Sequence, residues 1–275
     1  MPEINAKDVM NLRNRTGLPM MDCKQALEAT GGKVDEAEDW LRKKLKGRME
    51  KRTERAAGEG RIAIASNPGS GTAAIVELKA ETDFTAKNEK FVKAAQRLAE
   101  LAMAAPGAGA VAPTPEMTAI VDDLRISTGE NISIGRMQKL IGESGTTAYG
   151  SYVHHDGKTG VLVQATGSIS DETLREIGMH ITASPTRPLG VTVNDIPVAI
   201  VERERKFRID QSLESGKPKE IIDKMVEGGL RKFFEEVALM EQPFIKDETK
   251  KVKDVVGGKA QIVSFYRWQV GEQQA

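Results

Sequence analysis

The stretch Ala80-Glu81-Thr82-Asp83-Phe84-Thr85-Ala86-Lys87-Asn88-Glu89-Lys90-Phe91 joins a strand to a helix. Upstream, Thr72-Ala73-Ala74-Ile75-Val76-Glu77-Leu78-Lys79 is rich in apolar residues and ends by alternating apolar with charged side chains, the pattern of a buried strand. Downstream, Asn88 to Ala105 carries Phe91, Ala94, Ala95, Leu98, Leu101 and Ala102 on one stripe at helical spacing. The link between them is a short polar loop with one large apolar residue, Phe84. Two readings of Phe84 are open from the residues alone. It folds back over the start of its own helix as a hydrophobic staple, or it stands out as an aromatic anchor for a partner.

The segments around this stretch bear on the choice. Gly60-Arg61-Ile62-Ala63-Ile64-Ala65 pairs with Thr72–Lys79 across Asn67-Pro68-Gly69-Ser70-Gly71, giving a hairpin. Gly69 and Gly71 make no phosphate loop, since neither a Gly-Lys-Ser/Thr sequence nor a helix follows. The same hairpin–loop–helix order returns at 150–184. There Gly150-Ser151-Tyr152-Val153-His154-His155, the turn Asp156–Gly160 and Val161-Leu162-Val163-Gln164-Ala165 precede a helix from Asp171 to Ala183. The second loop is only Thr166-Gly167-Ser168-Ile169-Ser170 and has nothing matching Asp83–Asn88. A scaffold needs only the short loop, which favours a separate task for the longer one and for Phe84.

The rest is mostly helical. Residues 1–46 read as three short helices. Asn5 caps the first, Gly17 and Pro19 break it, Met21–Ala29 forms the second before Gly31-Gly32, and Asp35 to Leu45 forms the third. So small a core suits a docking unit, and Cys23 belongs to that core rather than to reactive chemistry. Residues 46–57 are dense in mixed charge and read as a linker or a solvated helical extension. Ala104–Pro115 is a low-complexity connector, and Met117 to Arg125 returns to helix. Segments 198–213 and 219–240 form an antiparallel helical hairpin around Gly216-Lys217-Pro218. Its apolar stripe, Ile222, Met225, Val226, Leu230, Phe233 and Val237, is first the seam between its own two helices. Ala260–Val270 is a strong strand that must return to a sheet, which makes the helical hairpin an insertion.

Composition narrows the function. The chain of 275 residues, long enough for about two domains, holds 40 Lys plus Arg against 40 Asp plus Glu, and the balance argues against a general nucleic-acid or membrane-surface binder. Aromatics are 4% and charged residues 29%, so a modest core carries much solvated helix surface. The lone cysteine fits a reducing compartment, the N-terminus shows no signal peptide, and no apolar run reaches membrane-spanning length. A cytoplasmic protein is expected. No HExxH, CxxC, GxSxG or dinucleotide fingerprint is present. His154 and His155, read as strand neighbours, are expected to face opposite ways and share no metal. The residues read as an interaction protein rather than an enzyme.

Several motifs together resemble bacterial elongation factor Ts, the family of guanine-nucleotide exchange factors for elongation factor Tu. They are Leu12-Arg13-Asn14-Arg15-Thr16-Gly17 with Met20–Leu27, Glu81–Asn88, Gly129-Glu130-Asn131-Ile132, Gly150–His154, Met179–Ser184, Ser215–Ile221 and Gln242-Pro243-Phe244. The resemblance implies an α+β fold: an N-terminal three-helix ubiquitin-associated-like domain (1–46), a charged linker (47–57), and a duplicated antiparallel-sheet-plus-helices core (58–140 and 141–275). An inserted antiparallel helical hairpin, or coiled coil, falls at about 198–240. It also implies that Thr82, Asp83, Phe84 and Thr85 dislodge Mg²⁺ from Tu, with Phe84 as the wedge. Met20, Met21, Lys87, Asn88, Gly129, His154 and, more weakly, Ile245 would bind Tu in its GDP-bound and nucleotide-free states. No cofactor and no covalent chemistry are implied, and self-association through the helical hairpin stays open. The alternative is an adaptor that uses the three-helix unit alone. Thr85 stands where the family commonly has Val. The chain stops soon after its last strand, so the C-terminal helical module of some members is not assumed. The stretch Gly142–Tyr149 is longer than usual.

Overall fold

The computed structural model describes residues 4–50, 54–213 and 218–272. The chain divides into two compact units, Met1–Ala63 with Val76–Gln138 and Gln269–Ala275, and Ile64–Ile75 with Lys139–Trp268. The fold is α+β, with helices set against antiparallel sheet.

In the first unit α1 (Ala6–Thr16) starts where the Asn5 side chain accepts a hydrogen bond from Asp8 N at 2.8 Å. It stops at Gly17, whose φ of 74° is the left-handed conformation that glycine adopts freely. α2 (Met20–Ala29) follows Pro19, and α3 (Val34–Glu50) runs past position 46 into the charged segment; residues 51–53 lie outside the described structure. Leu12, Leu18, Cys23, Leu27 and Leu41 close a small core between these helices. Burial raises the Cys23 thiol pKa, which leaves it an inert core residue.

Next come β1 (Glu59–Asn67) and β2 (Thr72–Ala80), joined by a 3₁₀ turn at Pro68–Ser70. β2 is buried without interruption from Ala73 to Leu78. Glu77 is tolerated there because its carboxylate accepts from Arg136 Nε at 2.8 Å and Gly271 N at 2.9 Å. The segment after β2 is not simply a loop: it contains a short helix, α4 (Asp83–Lys87). α5 (Glu89–Ala104) then buries Phe91, Ala95, Leu98, Ala99 and Ala102 along its stripe. β3 (Gly109–Ala110) lies within the expected connector, and α6 (Pro115–Thr128) ends at Gly129. β4 (Ser133–Ile141) was not anticipated from sequence. Its run Ser-Ile-Gly-Arg-Met-Gln-Lys-Leu-Ile has a glycine and a buried lysine, Lys139, where alternation would want apolar residues. The sheet order is β1-β2-β4-β3.

In the second unit β5 (Thr147–Val153) pairs antiparallel with β6 (Thr159–Gly167), Gly150 lying opposite Val163. α7 (Asp171–Ala183) lies on this pair so closely that a Cβ on Gly150 would come within 2.5 Å of Leu174 Cβ. The long stretch at 142–149 has a role here. Gly142 N donates to Gly71 O at 2.8 Å, Ser144 Oγ to Gly69 O at 2.6 Å and the Tyr149 hydroxyl to Gly71 O at 2.8 Å, so it binds the tip of the first hairpin.

α8 (Val198–Leu213) and α9 (Lys219–Val237) form the helical hairpin; Gly216 and Lys217 of the expected turn lie outside the described residues. Ile222, Val226, Leu230 and Val237 are the buried members of the α9 stripe, while Met225 stays 39% exposed. Gly190 bridges Ala238 at the base of this hairpin, with Leu189 N on Val237 O at 2.8 Å and Leu239 N on Gly190 O at 2.9 Å. β7 (Pro243–Phe244), β8 (Asp247–Lys251), α10 (Val252–Val256) and β9 (Ala260–Gln269) complete the chain. β9 joins the sheet as β5-β6-β9, and α8 and α9 lie in the chain between β6 and β9.

Candidate functional site

Phe84 is 84% exposed, more than any other large apolar side chain in the described residues. It does not fold back as a staple, and its position follows from how α4 is held. Thr82 caps the helix, its hydroxyl oxygen accepting from Thr85 N at 3.3 Å. The same hydroxyl donates to Glu130 Oε1 at 2.7 Å, and Thr82 N donates to Glu130 Oε2 at 3.1 Å. Thr85 Oγ1 donates to Glu130 Oε1 at 2.7 Å. Thr85 and Ala86 are therefore turned inward and buried, and the helical rotation between successive residues leaves Phe84 facing water.

Other expected site residues cluster here. Asp83 pairs with Lys87 Nζ at 2.7 Å, an i,i+4 surface pair worth about 0.3–0.5 kcal/mol. Asp83 also lies in the first turn, where the helix dipole favours a negative charge. Asn88 caps α5, its Oδ1 accepting from Lys90 N at 2.9 Å, so in this chain its side chain positions the next helix. Gly129 ends α6 with φ 74°, and the turn it permits delivers Glu130 to α4. Beside it Asn131 N donates to Glu81 Oε1 at 2.6 Å, and Asn131 Nδ2 to Arg55 O at 2.7 Å. Glu130 lies in the motif Gly129-Glu130-Asn131-Ile132, but its contacts become visible only in the fold. Two threonines three residues apart at a helix start, with no acid of their own at the third position, were the available signal.

Met20 and Met21 stand at the start of α2, 43% and 64% exposed. They are apolar side chains offered to solvent on a helix whose other face is core.

His154 and Ile245 belong to the second unit. β5 ends at Val153, so His154 and His155 occupy a turn and not a strand. Their rings lie 4.3 Å apart, contrary to the expectation of opposite faces. His154 Nδ1 shares a hydrogen bond with the Tyr152 hydroxyl at 3.1 Å. Among the described residues no group of three or more His, Cys, Asp and Glu side chains is placed to hold a metal ion. No helix among them is long and apolar enough to cross a membrane.

Ile245 is 38% exposed and is fixed from beneath by His180, a residue given no role from sequence. Ile245 N donates to His180 Nδ1 at 3.2 Å. His180 Nε2 meets Gln242 Oε1 at 2.9 Å, while Gln242 Nε2 donates to the Thr186 and Glu236 carbonyls at 2.9 and 2.6 Å. With the amide oriented by those two carbonyls, His180 carries its proton on Nε2 and is neutral. Burial lowers its pKa, which favours the neutral ring.

The arrangement presents exposed apolar side chains, Phe84 and Ile245, on backbone held in place by polar contacts. The family described as Elongation factor TS matches residues 81–272. An elongation factor Ts of Thiobacillus denitrificans is 38% identical over 280 residues, covering 99% of this chain and 93% of that protein. One of Nitratidesulfovibrio vulgaris is 38% identical over 287 residues, covering 99% and 97%. One of Gluconobacter oxydans is 41% identical over 291 residues, covering 99% and 93%. With matches of that extent, the chain belongs to the elongation factor Ts family of translation elongation factors.

Proposed function

We propose that the chain is a guanine-nucleotide exchange factor that binds elongation factor Tu·GDP and speeds loss of GDP by displacing Mg²⁺. The observation that carries this reading is Phe84, 84% exposed on a short helix pinned at both threonines. Such a ring enters a partner without first reorganising its own subunit. In this reading it wedges into the GTPase domain and shifts the elements that hold Mg²⁺. Mg²⁺ demands near-octahedral geometry, so a small displacement of its ligands weakens it disproportionately. The factor contributes no covalent chemistry.

Magnitudes show that the wedge does not act alone. Full burial of a Phe side chain supplies about 1.5–3 kcal/mol. A thousandfold faster GDP release requires about 4 kcal/mol. The remainder falls to other contacts, for which the exposed Met20 and Met21, Gly129, His154 and Ile245 are the proposed residues. The N-terminal three helices then serve as a docking module for the same partner, and the core carries the wedge. Linkage completes the cycle: a factor that weakens nucleotide binding is itself weakened by nucleotide to the same extent, so incoming GTP displaces it.

The test is release of labelled GDP from Tu with and without this chain, repeated at increasing free Mg²⁺. Release should accelerate, and excess Mg²⁺ should oppose the acceleration. Release at the spontaneous rate would refute the function; acceleration insensitive to Mg²⁺ would refute the mechanism.

A further inference from the structure

α4 is a five-residue helix, and the first turn of a helix is by itself disfavoured about a thousandfold. Its neighbours must hold it, and the firmest grip comes from a distant part of the sequence. The Glu130 carboxylate receives the Thr82 hydroxyl, the Thr85 hydroxyl and the Thr82 backbone N–H, at 2.7, 2.7 and 3.1 Å. A carboxylate is an acceptor at both oxygens, so it accommodates all three donors at once. Hydrogen bonds to a charged acceptor are about twice as strong as neutral ones. Because the Thr82 hydroxyl spends its proton on Glu130, its lone pair is left facing Thr85 N, the capping bond that starts the helix. Because Thr85 is drawn down onto the same carboxylate, its neighbour Phe84 is turned away from the body of the protein.

Glu130 is itself well placed for this task. It follows the left-handed Gly129 at the end of α6, and its own N–H donates to Thr128 Oγ1 at 3.2 Å. We propose that Glu130 is the positioning residue of the exchange site: it fixes the direction of the Phe84 ring without touching the partner. The proposal rests on the exchange reading above and names a residue that reading does not use.

The experiment compares exchange by wild type, Glu130→Ala, Glu130→Gln, Phe84→Ala and the double variant Glu130→Ala/Phe84→Ala, with amide hydrogen exchange of Ala86 and Asn88. The N–H groups of those two residues donate to Thr82 O and Thr85 O and report α4 directly. Loss of the three charge-assisted bonds, discounted because the site is part-exposed, should slow nucleotide exchange about tenfold in Glu130→Ala. The Gln variant, whose amide presents a donor where an acceptor is needed, should fall between wild type and Ala. In the Phe84→Ala background removal of Glu130 should add less than a twofold effect, because Glu130 acts through the ring. A purely structural role would instead slow both backgrounds by the same factor and would overturn the proposal. So would wild-type exchange rates in Glu130→Ala. If Phe84→Ala matches wild type, it is the exchange reading that fails. Faster amide exchange at Ala86 and Asn88 in Glu130→Ala then still supports the grip on α4, and unchanged amide exchange removes it.

Discussion

Phe84→Ala separates the ring from the fold that carries it. In the free protein the side chain is 84% exposed, so little apolar contact is lost on truncation. Stability should change by no more than about 0.5 kcal/mol, the usual range for surface substitutions. On the partner nearly all of that surface is available for burial. Removing the aromatic group forfeits about 1.5–3 kcal/mol of binding, which is a ten- to hundredfold loss. If the wedge acts chiefly in the state where Mg²⁺ is displaced, the loss appears in the maximal exchange rate and not only in the affinity for Tu·GDP. Stopped-flow release of labelled GDP over a range of factor concentrations separates the two. Phe84→Leu keeps part of the apolar area and should fall between wild type and Ala. Equal maximal rates for wild type and Phe84→Ala, with both proteins melting alike, would refute the wedge.

Other consequences can be checked more simply. Met21→Ala should leave the melting temperature unchanged, since the side chain is 64% exposed, but weaken the complex with Tu several-fold, about 1 kcal/mol of lost burial, by titration calorimetry. Gly150→Ala should destabilise the second unit by about 1–3 kcal/mol in denaturant melts, because its Cβ would lie 2.5 Å from Leu174 Cβ. His180 predicts a pH dependence. Its pKa is lowered in the fold by burial, so native and unfolded states are both neutral above the unfolded value of about 6.5. As pH falls through that value only the unfolded chain takes the proton, and stability drops until the lower native pKa is reached. Melts from about pH 7.5 to 5.5 should therefore show a steeper loss in wild type than in His180→Asn; parallel curves would show that His180 is not the group responsible.

The parts of the fold legible in the sequence were those with a strong local signal. The stripe of α5, the Asn5 cap, the Gly17 stop and the seam of α9 are all written in spacing or in one conformationally special residue. The second hairpin was legible as well, except for one detail. His154 and His155 were read as continuing β5, but the strand ends before them and the turn brings their rings together. β4 was missed because its buried positions include Lys139 and its middle holds Gly135, so alternation fails. α4 was missed because five residues cannot display a period, and its stability depends on Glu130, forty-five or more positions away. The site divides in the same way. Phe84 stood out as an apolar residue among polar ones, whereas Glu130, bonded to the threonines beside it, and His180, bonded to Ile245 N, are ordinary polar residues until the chain is folded.

The closed neck of the helical hairpin has its own consequence. The chain leaves for α8 just after Gly190 and returns after α9 at Ala238, and the two strands of this neck are bonded to each other. Departure and return are therefore neighbours running the same way, and the Glu236 carbonyl within α9 still holds Gln242, so the arm is separable only beyond this neck. Evolution or an engineer can lengthen, shorten or exchange the arm there as a cassette, while the sheet β5-β6-β9 keeps its order.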